Sequence, residues 1–233
     1  MDFSIASKVF EFIVLLFALS FHEAAHAWMA SRLGDPTARM LGRLTLNPIK
    51  HIDPLGTLIL PLLCLFLPGF GGLLFGWAKP TPVTTRNFKN FKRDDILTTV
   101  AGPVSNVVLA IASLIILIGI ARFTPTGRAC VAAVSGFGLD PALMAASPIV
   151  LPLTIIFYYG ILLNLFLAVF NLLPLPPLDG SHIFRHMLPP RAAAIYDRLG
   201  IFSLIIMFVV GGRVAGFFMA PALGLFRSVL LSG

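Results

Sequence analysis

The chain has 233 residues, of which 58% are hydrophobic and 12% are charged, and its mean hydropathy is +0.94. A soluble domain carries about 25% charged residues, so this composition excludes a soluble enzyme, including a soluble zinc protease. The net charge of +7 comes from basic residues in short stretches between apolar segments, where they set membrane orientation and do not indicate nucleic-acid binding. The sequence predicts an all-α polytopic membrane protein with about 4–6 transmembrane segments, in a single domain over residues 1–233.

The first apolar segment predicts a helix over residues 9–30, and its C-terminal part carries the pattern His-Glu-x-x-His. His22 and His26 are four residues apart, so they lie on one face of the helix and can bind one zinc ion. Glu23 can act as a general base toward a water molecule beside that ion. Two other interpretations remain open. The apolar run after Lys8 could belong to a signal peptide, or the segment could be an interfacial helix whose polar side chains face lipid headgroups.

A polar connector follows at residues 31–54. Its basic residues are Arg32, Arg39, Arg43 and Lys50. By the positive-inside rule they place this end of the motif helix on the cytoplasmic side and the N-terminus outside. Partial alternation of apolar and polar residues over 40–46 indicates a short strand within the connector.

Residues 55–76 are apolar but interrupted by prolines and glycines, and the basic stretch 79–93 follows. Basic stretches on both flanks favour the same side of the membrane, so we predict a re-entrant hairpin; a plain crossing with one misplaced basic loop is the alternative. Residues 76–83 contain two prolines and predict an extended segment on the cytoplasmic side. That segment could pair with an unwound substrate or serve as a surface linker.

Two further helices are predicted in the membrane core, over residues 96–121 and 148–173. The first contains Asn106, a polar amide at membrane depth that could hold a neighbouring helix or face the active site. The second ends in a proline-rich stretch followed by Asp179, on the same side of the membrane as the two motif histidines. Two histidines and one carboxylate leave a fourth position open, which is the ligand arrangement of a catalytic zinc. The alternative for Asp179 is a helix N-cap.

His182 and His186 are also four residues apart and could form a rival metal pair with Asp179. No acidic residue lies between them, and Arg185 would repel a cation, so we interpret them as interfacial residues. The last apolar stretch, residues 195–231, is too long for one span of about 20 residues. It predicts either a hairpin of two short helices or one long tilted helix.

Two motifs on separate membrane segments resemble those of the site-2 protease family of intramembrane zinc metalloproteases. They are His22-Glu23-x-x-His26 and Asn171-x-x-Pro174-x-Pro176-Pro177-x-Asp179-Gly180. The likeness extends to Leu46-Asn47-Pro48, to Gly76-Trp77-Ala78-Lys79-Pro80 and to Ala101-Gly102-Pro103-x-x-Asn106. The chain resembles the compact form of the family, without a PDZ or CBS domain.

The resemblance implies that Zn²⁺ is the cofactor, that His22, His26 and Asp179 bind it, and that Glu23 is the catalytic base. It also suggests that Asn106 and Asn171 position the substrate backbone. The implied activity is hydrolysis of a peptide bond within or near the transmembrane helix of a membrane-protein substrate, as in regulated intramembrane proteolysis. The implied location is the prokaryotic cell membrane, with the active site toward the cytoplasm.

Two other functions remain open on the sequence alone. A zinc-binding membrane chaperone or regulator would use the metal structurally and would not need Glu23 as a base. A metal transporter would use the histidines and the aspartate as relay groups, but the polar residues cluster near one face and do not form a path across the bilayer. The expected partners are a transmembrane protein or peptide substrate and the lipid bilayer. The substrate identity, the need for a prior cleavage or adaptor, the gating motion and the oligomeric state remain open.

Overall fold

The computed structural model describes residues 3–66, 76–137, 141–198 and 212–231. Within these ranges the regular structure is helical and contains no strand, which confirms the all-α class. The α-helices are α1 (Phe3–Leu33), α2 (Thr37–Met40), α3 (Leu60–Phe66), α4 (Phe91–Phe123), α5 (Gly127–Ala132), α6 (Pro141–Ala146), α7 (Val150–Asn171), α8 (Asp179–Arg185), α9 (Pro190–Arg198) and α10 (Gly212–Leu231). Short 3₁₀ or π turns lie at Pro48–Lys50, Pro54–Ile59, Thr85–Asn87 and Ala133–Phe137.

Three helices among the described residues are long and apolar enough to cross a membrane. They are Ala6–Leu33 within α1, all of α4 and all of α7, and the shorter apolar helices Pro54–Cys64 and Gly216–Phe226 accompany them. The predicted helix over 9–30 extends further at both ends, and the helix predicted over 96–121 begins earlier, at Phe91. The protein is therefore an integral membrane protein with the predicted motif helix and two core helices.

Helices α1, α4 and α7 pack against one another and position the polar residues between them. Small residues permit the close approach of α4 and α7, since a Cβ added at Gly160 would lie 2.5 Å from the Ser113 hydroxyl oxygen. Apolar side chains fill the rest of the contact, with Leu15 of α1 and Leu117 of α4 almost fully buried. Helix contacts in a bilayer depend on packing of this kind, because lipid is as apolar as the side chains.

The strand predicted over residues 40–46 is wrong. The chain forms α2 and then turns, and Gly42 adopts a φ of +67°, in the left-handed region that glycine enters without steric cost. The Arg43 guanidinium then donates a hydrogen bond to the Lys50 carbonyl and closes the loop on itself. Alternation over a few residues could not reveal this reversal, because a strand also needs a partner for its backbone groups.

The two ends of the predicted hairpin lie side by side. Trp77 N–H donates to the Gly56 carbonyl at 3.1 Å, and Lys79 N–H donates to the His51 carbonyl at 2.9 Å. Residues 54–66 form a π turn that continues into α3. Residues 76–84, the predicted extended segment, are outside any helix, and Thr84 at their end has an extended backbone. The adjacent ends are what a re-entrant hairpin requires; residues 67–75 lie outside the described residues, so the hairpin stays a prediction.

The remaining segments contain helices that hydropathy alone did not reveal. The mild stretch after α4 contains α5 and α6, and Cys130 of α5 is fully buried. Near the C-terminus, α9 is amphipathic, and Asp197 in it accepts a bidentate hydrogen bond from Arg185 of α8. For the last apolar stretch, residues 195–231, the prediction of a hairpin or one tilted helix stays open, because residues 199–211 lie outside the described part of the chain.

Candidate metal centre

The structure brings His22, His26 and Asp179 together, although Asp179 lies 153 positions after His26 in the chain. His22 Nε2 lies 3.1 Å from His26 Nε2 and 3.1 Å from Asp179 Oδ2, and His26 Nε2 lies 3.4 Å from Asp179 Oδ1. Zinc ligands at about 2.0–2.1 Å in a tetrahedron are about 3.3 Å from one another. The three side chains therefore have the spacing of a tetrahedral zinc site with one corner open.

The other ring nitrogen of each histidine is held by a hydrogen bond. His26 Nδ1 lies 2.7 Å from the Thr98 carbonyl, which can only accept, so Nδ1 carries the hydrogen. His22 Nδ1 lies 2.6 Å from Asn106 Oδ1 and donates to it in the same way. A neutral imidazole with its hydrogen on Nδ1 keeps the lone pair of Nε2 for a metal, as expected of ligating histidines.

These tautomers make the centre a good fit for a cation. Two Nε2 lone pairs and the Asp179 carboxylate converge within 3.4 Å, and Asp179 Oδ2 is buried without a hydrogen-bond donor. Acceptors packed so closely repel one another unless a positive charge lies between them. The two imidazoles also need a glycine at position 102, because a Cβ on Gly102 would lie 2.3 Å from His26 Nε2 and 2.6 Å from a His22 ring carbon.

Asp179 reaches the centre through the break between α7 and α8. The chain leaves the helix after Asn171, passes through a cis peptide before Pro177 and enters α8 at Asp179. The N-cap of α8 is Leu178, so the N-cap interpretation of Asp179 is wrong.

Glu23 is buried next to the two histidines and is fixed by the extended segment. The Thr81 backbone N–H donates to Glu23 Oε2 at 2.7 Å, and the Thr81 hydroxyl donates to the Glu23 backbone carbonyl at 2.9 Å. One carboxylate oxygen is therefore held while the group stays beside the centre. Glu23 also lines the same cavity as His22, His26 and Asp179, where a carboxylate can exchange a proton with water.

The centre opens into a cavity of about 620 Å³. Its polar end contains His22, Glu23, His26 and Asp179, and its walls include Leu15, Leu19, Phe166 and Phe170 from α1 and α7. Residues of the segment 76–84 line another side, among them Trp77, Pro80 and Thr81. The cavity therefore combines a polar group of side chains with largely apolar walls.

The two asparagines predicted to contact substrate have different surroundings. Asn171 lies on the cavity wall, and its side chain donates to the Leu167 carbonyl of its own helix. Asn106 has no exposed surface and bonds to His22, to the Ala18 carbonyl and to Asn164. Asn171 therefore stays a predicted substrate contact, whereas Asn106 is positioned to orient a metal ligand.

The sequence analysis missed Thr81, Thr98 and Asn164. Thr98 contributes only its backbone carbonyl to the centre, so no side-chain pattern could have indicated it. Asn164 had a usable signal, since it is a buried amide in an otherwise apolar helix and such residues are costly at membrane depth.

His182 and His186 belong to a separate ion-paired group. His186 Nε2 lies 2.7 Å from Asp95 Oδ2, and His182 Nδ1 lies 3.7 Å from the same oxygen. The Asp95 carboxylate raises the pKa of His182, against the effect of burial. Among the described residues, the group that could hold a metal is the one with His22 and His26, so the rival pairing with Asp179 is not formed.

Curated relatives carry names that match this chemistry. The chain is 39% identical over 198 residues to the zinc metalloprotease YwhC of Bacillus subtilis (strain 168), covering 85% of this chain and 78% of that protein. It is 30% identical over 210 residues to the zinc metalloprotease Rip2 of Mycolicibacterium smegmatis, covering 87% of this chain and 68% of the relative. No solved structure gives a significant match. The class is thus a membrane-embedded zinc metalloendopeptidase.

A family model described as Peptidase family M50 matches residues 10–210, a range that contains both motif histidines, Glu23 and Asp179. The chain belongs to peptidase family M50, the site-2 protease family.

Proposed function

We propose that this enzyme cleaves a peptide bond within or near the transmembrane helix of a membrane-protein substrate, as in regulated intramembrane proteolysis. The observation that carries the proposal is the position of the candidate metal centre. It lies between helices long enough to span a bilayer, at the end of a cavity with largely apolar walls. A soluble peptide would gain little from such walls, whereas a hydrophobic segment would exchange lipid for them.

In the proposed mechanism, His22, His26 and Asp179 hold the zinc ion. Zinc, when bound, supplies a Lewis acid that activates water and polarises a carbonyl group. Glu23 Oε1 takes a proton from the attacking water, while the Thr81 N–H holds Oε2. Glu23 then returns that proton to the amide nitrogen as the C–N bond breaks, so the leaving group departs as a neutral amine.

The substrate must be locally unwound, because the carbonyls of an intact helix are hidden in its own hydrogen bonds. On one edge of the extended segment, the Trp77 and Lys79 N–H groups donate to the carbonyls of Gly56 and His51. The other edge of an extended chain would offer the N–H and carbonyl of Ala78 and the carbonyl of Pro80, since proline has no N–H, and both residues line the cavity. We propose that the unwound substrate pairs there, and that helices weakened by Gly or Pro are preferred.

We also propose that the centre faces the cytoplasm of a prokaryotic cell. The His-Glu-x-x-His part of α1, the start of α4 and the chain after α7 lie at one end of the helix bundle. The polar segments at this end carry Arg39, Arg43, Lys50, Arg86 and Lys89. Basic residues concentrate on the cytoplasmic side of membrane proteins.

The test is cleavage of single-span test helices by purified protein in liposomes. We expect wild type to cleave and Glu23→Gln to lose at least about 100-fold in rate while retaining zinc, because only proton transfer is removed. Glu11→Gln is a matched control, since Glu11 is another buried acid of α1, twelve residues from Glu23. Equal cleavage by wild type and the Glu23 variant would contradict the assigned base.

A further inference from the structure

Two buried asparagines connect His22 to the backbone of α7. Asn106 Oδ1 lies 2.6 Å from His22 Nδ1, and Asn106 Nδ2 donates to Asn164 Oδ1 at 2.8 Å. Asn164 Nδ2 in turn donates to the Gly160 carbonyl at 2.8 Å. Asn106 is 0% exposed and Asn164 is 3% exposed, so water does not compete for these bonds.

The direction of this chain of hydrogen bonds is fixed at its far end. The Gly160 carbonyl can only accept, so it faces the amino group of Asn164 and turns Asn164 Oδ1 toward Asn106. That oxygen takes one hydrogen of Asn106 Nδ2, and the other points at the Ala18 carbonyl, 3.3 Å away. Asn106 Oδ1 is consequently the atom that faces His22.

The orientation of Asn106 decides which nitrogen of His22 can bind a metal. An acceptor at Nδ1 requires the imidazole hydrogen there, and a neutral imidazole has only one, so Nε2 keeps its lone pair. If the Asn106 amide rotated by half a turn, its N–H groups would face Nδ1. The hydrogen would then sit on Nε2, where it blocks metal binding.

We propose that Asn164 is a positioning residue of the metal centre, which holds Asn106 in the one orientation that keeps His22 Nε2 free for zinc. The inference rests on the proposed role of His22 as a zinc ligand. The inference goes beyond that role, because zinc binding would then also require Asn164 of α7, which neither touches the metal-binding atoms nor lines the cavity. Outer partners of metal-ligating histidines typically change metal affinity by about 10–100-fold.

Two substitutions separate this role from packing. Asn164→Leu removes the acceptor toward Asn106, and we expect the zinc Kd to rise about tenfold; the Ala18 carbonyl still opposes rotation of Asn106, which limits the loss. Asn164→Asp keeps an oxygen toward Asn106 in either protonation state, so we expect a Kd within about threefold of wild type. A packing role predicts the reverse order, since a buried carboxyl costs more than leucine.

Zinc affinity is measured by competition with a chromophoric chelator in detergent. Thr154→Val is the matched control, because Thr154 is a fully buried polar residue of α7 whose hydroxyl bonds to the Val150 carbonyl of its own helix. The control should bind zinc as wild type does. An unchanged Kd in Asn164→Leu, or an equal loss in Asn164→Asp, would overturn the inference.

A second measurement needs neither zinc nor a folded leucine variant. Nitrogen NMR of metal-free wild type labelled at histidine should show the His22 hydrogen on Nδ1, with the signal assigned by its loss in His22→Asn. A hydrogen on Nε2 would overturn the inference. Failure of wild type to bind zinc would instead refute the proposed metal site, while the NMR result would still decide whether Asn106 presents its oxygen to His22.

Discussion

At the residue scale, a glycine makes room for the metal centre. Gly102 lies on α4 opposite the two imidazoles, and any side chain there would enter the space in which their Nε2 atoms converge. The apolar length of α4 does not explain a glycine at this point, since glycine lowers helix stability by about 1 kcal/mol relative to alanine. Its explanation is the close approach of the histidines.

Substitution of this glycine should displace the ligands. In Gly102→Ala the new Cβ would lie 2.3 Å from His26 Nε2, so the ring must move, and we expect zinc affinity to fall at least about tenfold. Bound zinc is measured by mass spectrometry after equilibration with a chelator. Gly119→Ala in the same helix has no atom within 4 Å of the added Cβ and should retain full zinc. Wild-type zinc content in Gly102→Ala would contradict the geometry of the centre.

At the element scale, the segment from Trp77 to Asn87 is held at successive points. Trp77 and Lys79 donate to the carbonyls of Gly56 and His51, and Thr81 donates to Glu23. Asp35, which is fully buried just after α1, accepts from the Thr84 N–H at 2.7 Å and from the Asn87 side chain at 2.8 Å. The segment that holds the proposed base is therefore anchored to the end of the helix that carries it.

This anchor should give the fold a pH dependence. Burial opposes ionisation of Asp35, but hydrogen bonds from Thr37, Asn87 and Thr84 outweigh it and lower the pKa of the carboxyl. Because the folded-state pKa is lowered, the stabilisation is complete above the ordinary value of about 4 and is lost as the pH falls through the lowered value. Acid should therefore loosen the extended segment.

Thermal unfolding in detergent between pH 8 and pH 3 tests this dependence. Asp35→Asn should be less stable than wild type at neutral pH by about 1–3 kcal/mol, because charged hydrogen bonds are lost. The difference should shrink below about pH 4, where wild type also loses the charge. A constant difference across the whole pH range would exclude ionisation of Asp35 as the cause.

At the scale of the whole molecule, the three long helices alternate in direction and bring distant segments to one end. His22 lies late in α1, Thr98 lies early in α4, and Asp179 follows α7. This alternation predicts that the chain before α4 and the chain after it lie on opposite sides of the membrane.

Cysteine labelling in intact cells tests the proposed orientation. Lys89 and Arg128 are exposed and flank α4, while the native Cys64 and Cys130 are buried and should give a low background. An impermeant maleimide should label Arg128→Cys in intact cells and Lys89→Cys only after permeabilisation, at least about tenfold more than before. Unmodified wild type serves as the background control. The opposite pattern would place the centre on the outer side.

Much of this protein could be predicted from its sequence, because the strongest signals are local. Apolar length predicts spanning helices, and the four-residue spacing of His22 and His26 places both on one helical face. The break before Asp179 was also visible, since prolines cannot continue a helix. Local alternation failed at residues 40–46, where a left-handed glycine and hydrogen bonds within the connector, from Arg43 to the Lys50 carbonyl and between His51 and the Thr45 carbonyl, decide the conformation.

Only the tertiary structure decided how these pieces meet. In the folded chain Asn106 is hydrogen-bonded to His22, Thr98 to His26 and Thr81 to Glu23, and each pair joins segments more than 50 residues apart. Such pairings leave little trace in a single sequence, because a backbone carbonyl or N–H has no side-chain signature. The sequence by itself determined the metal-binding chemistry and the membrane class. The packing of α1, α4 and α7 determined the tautomers, the anchoring of the base and the cavity in which that chemistry can act.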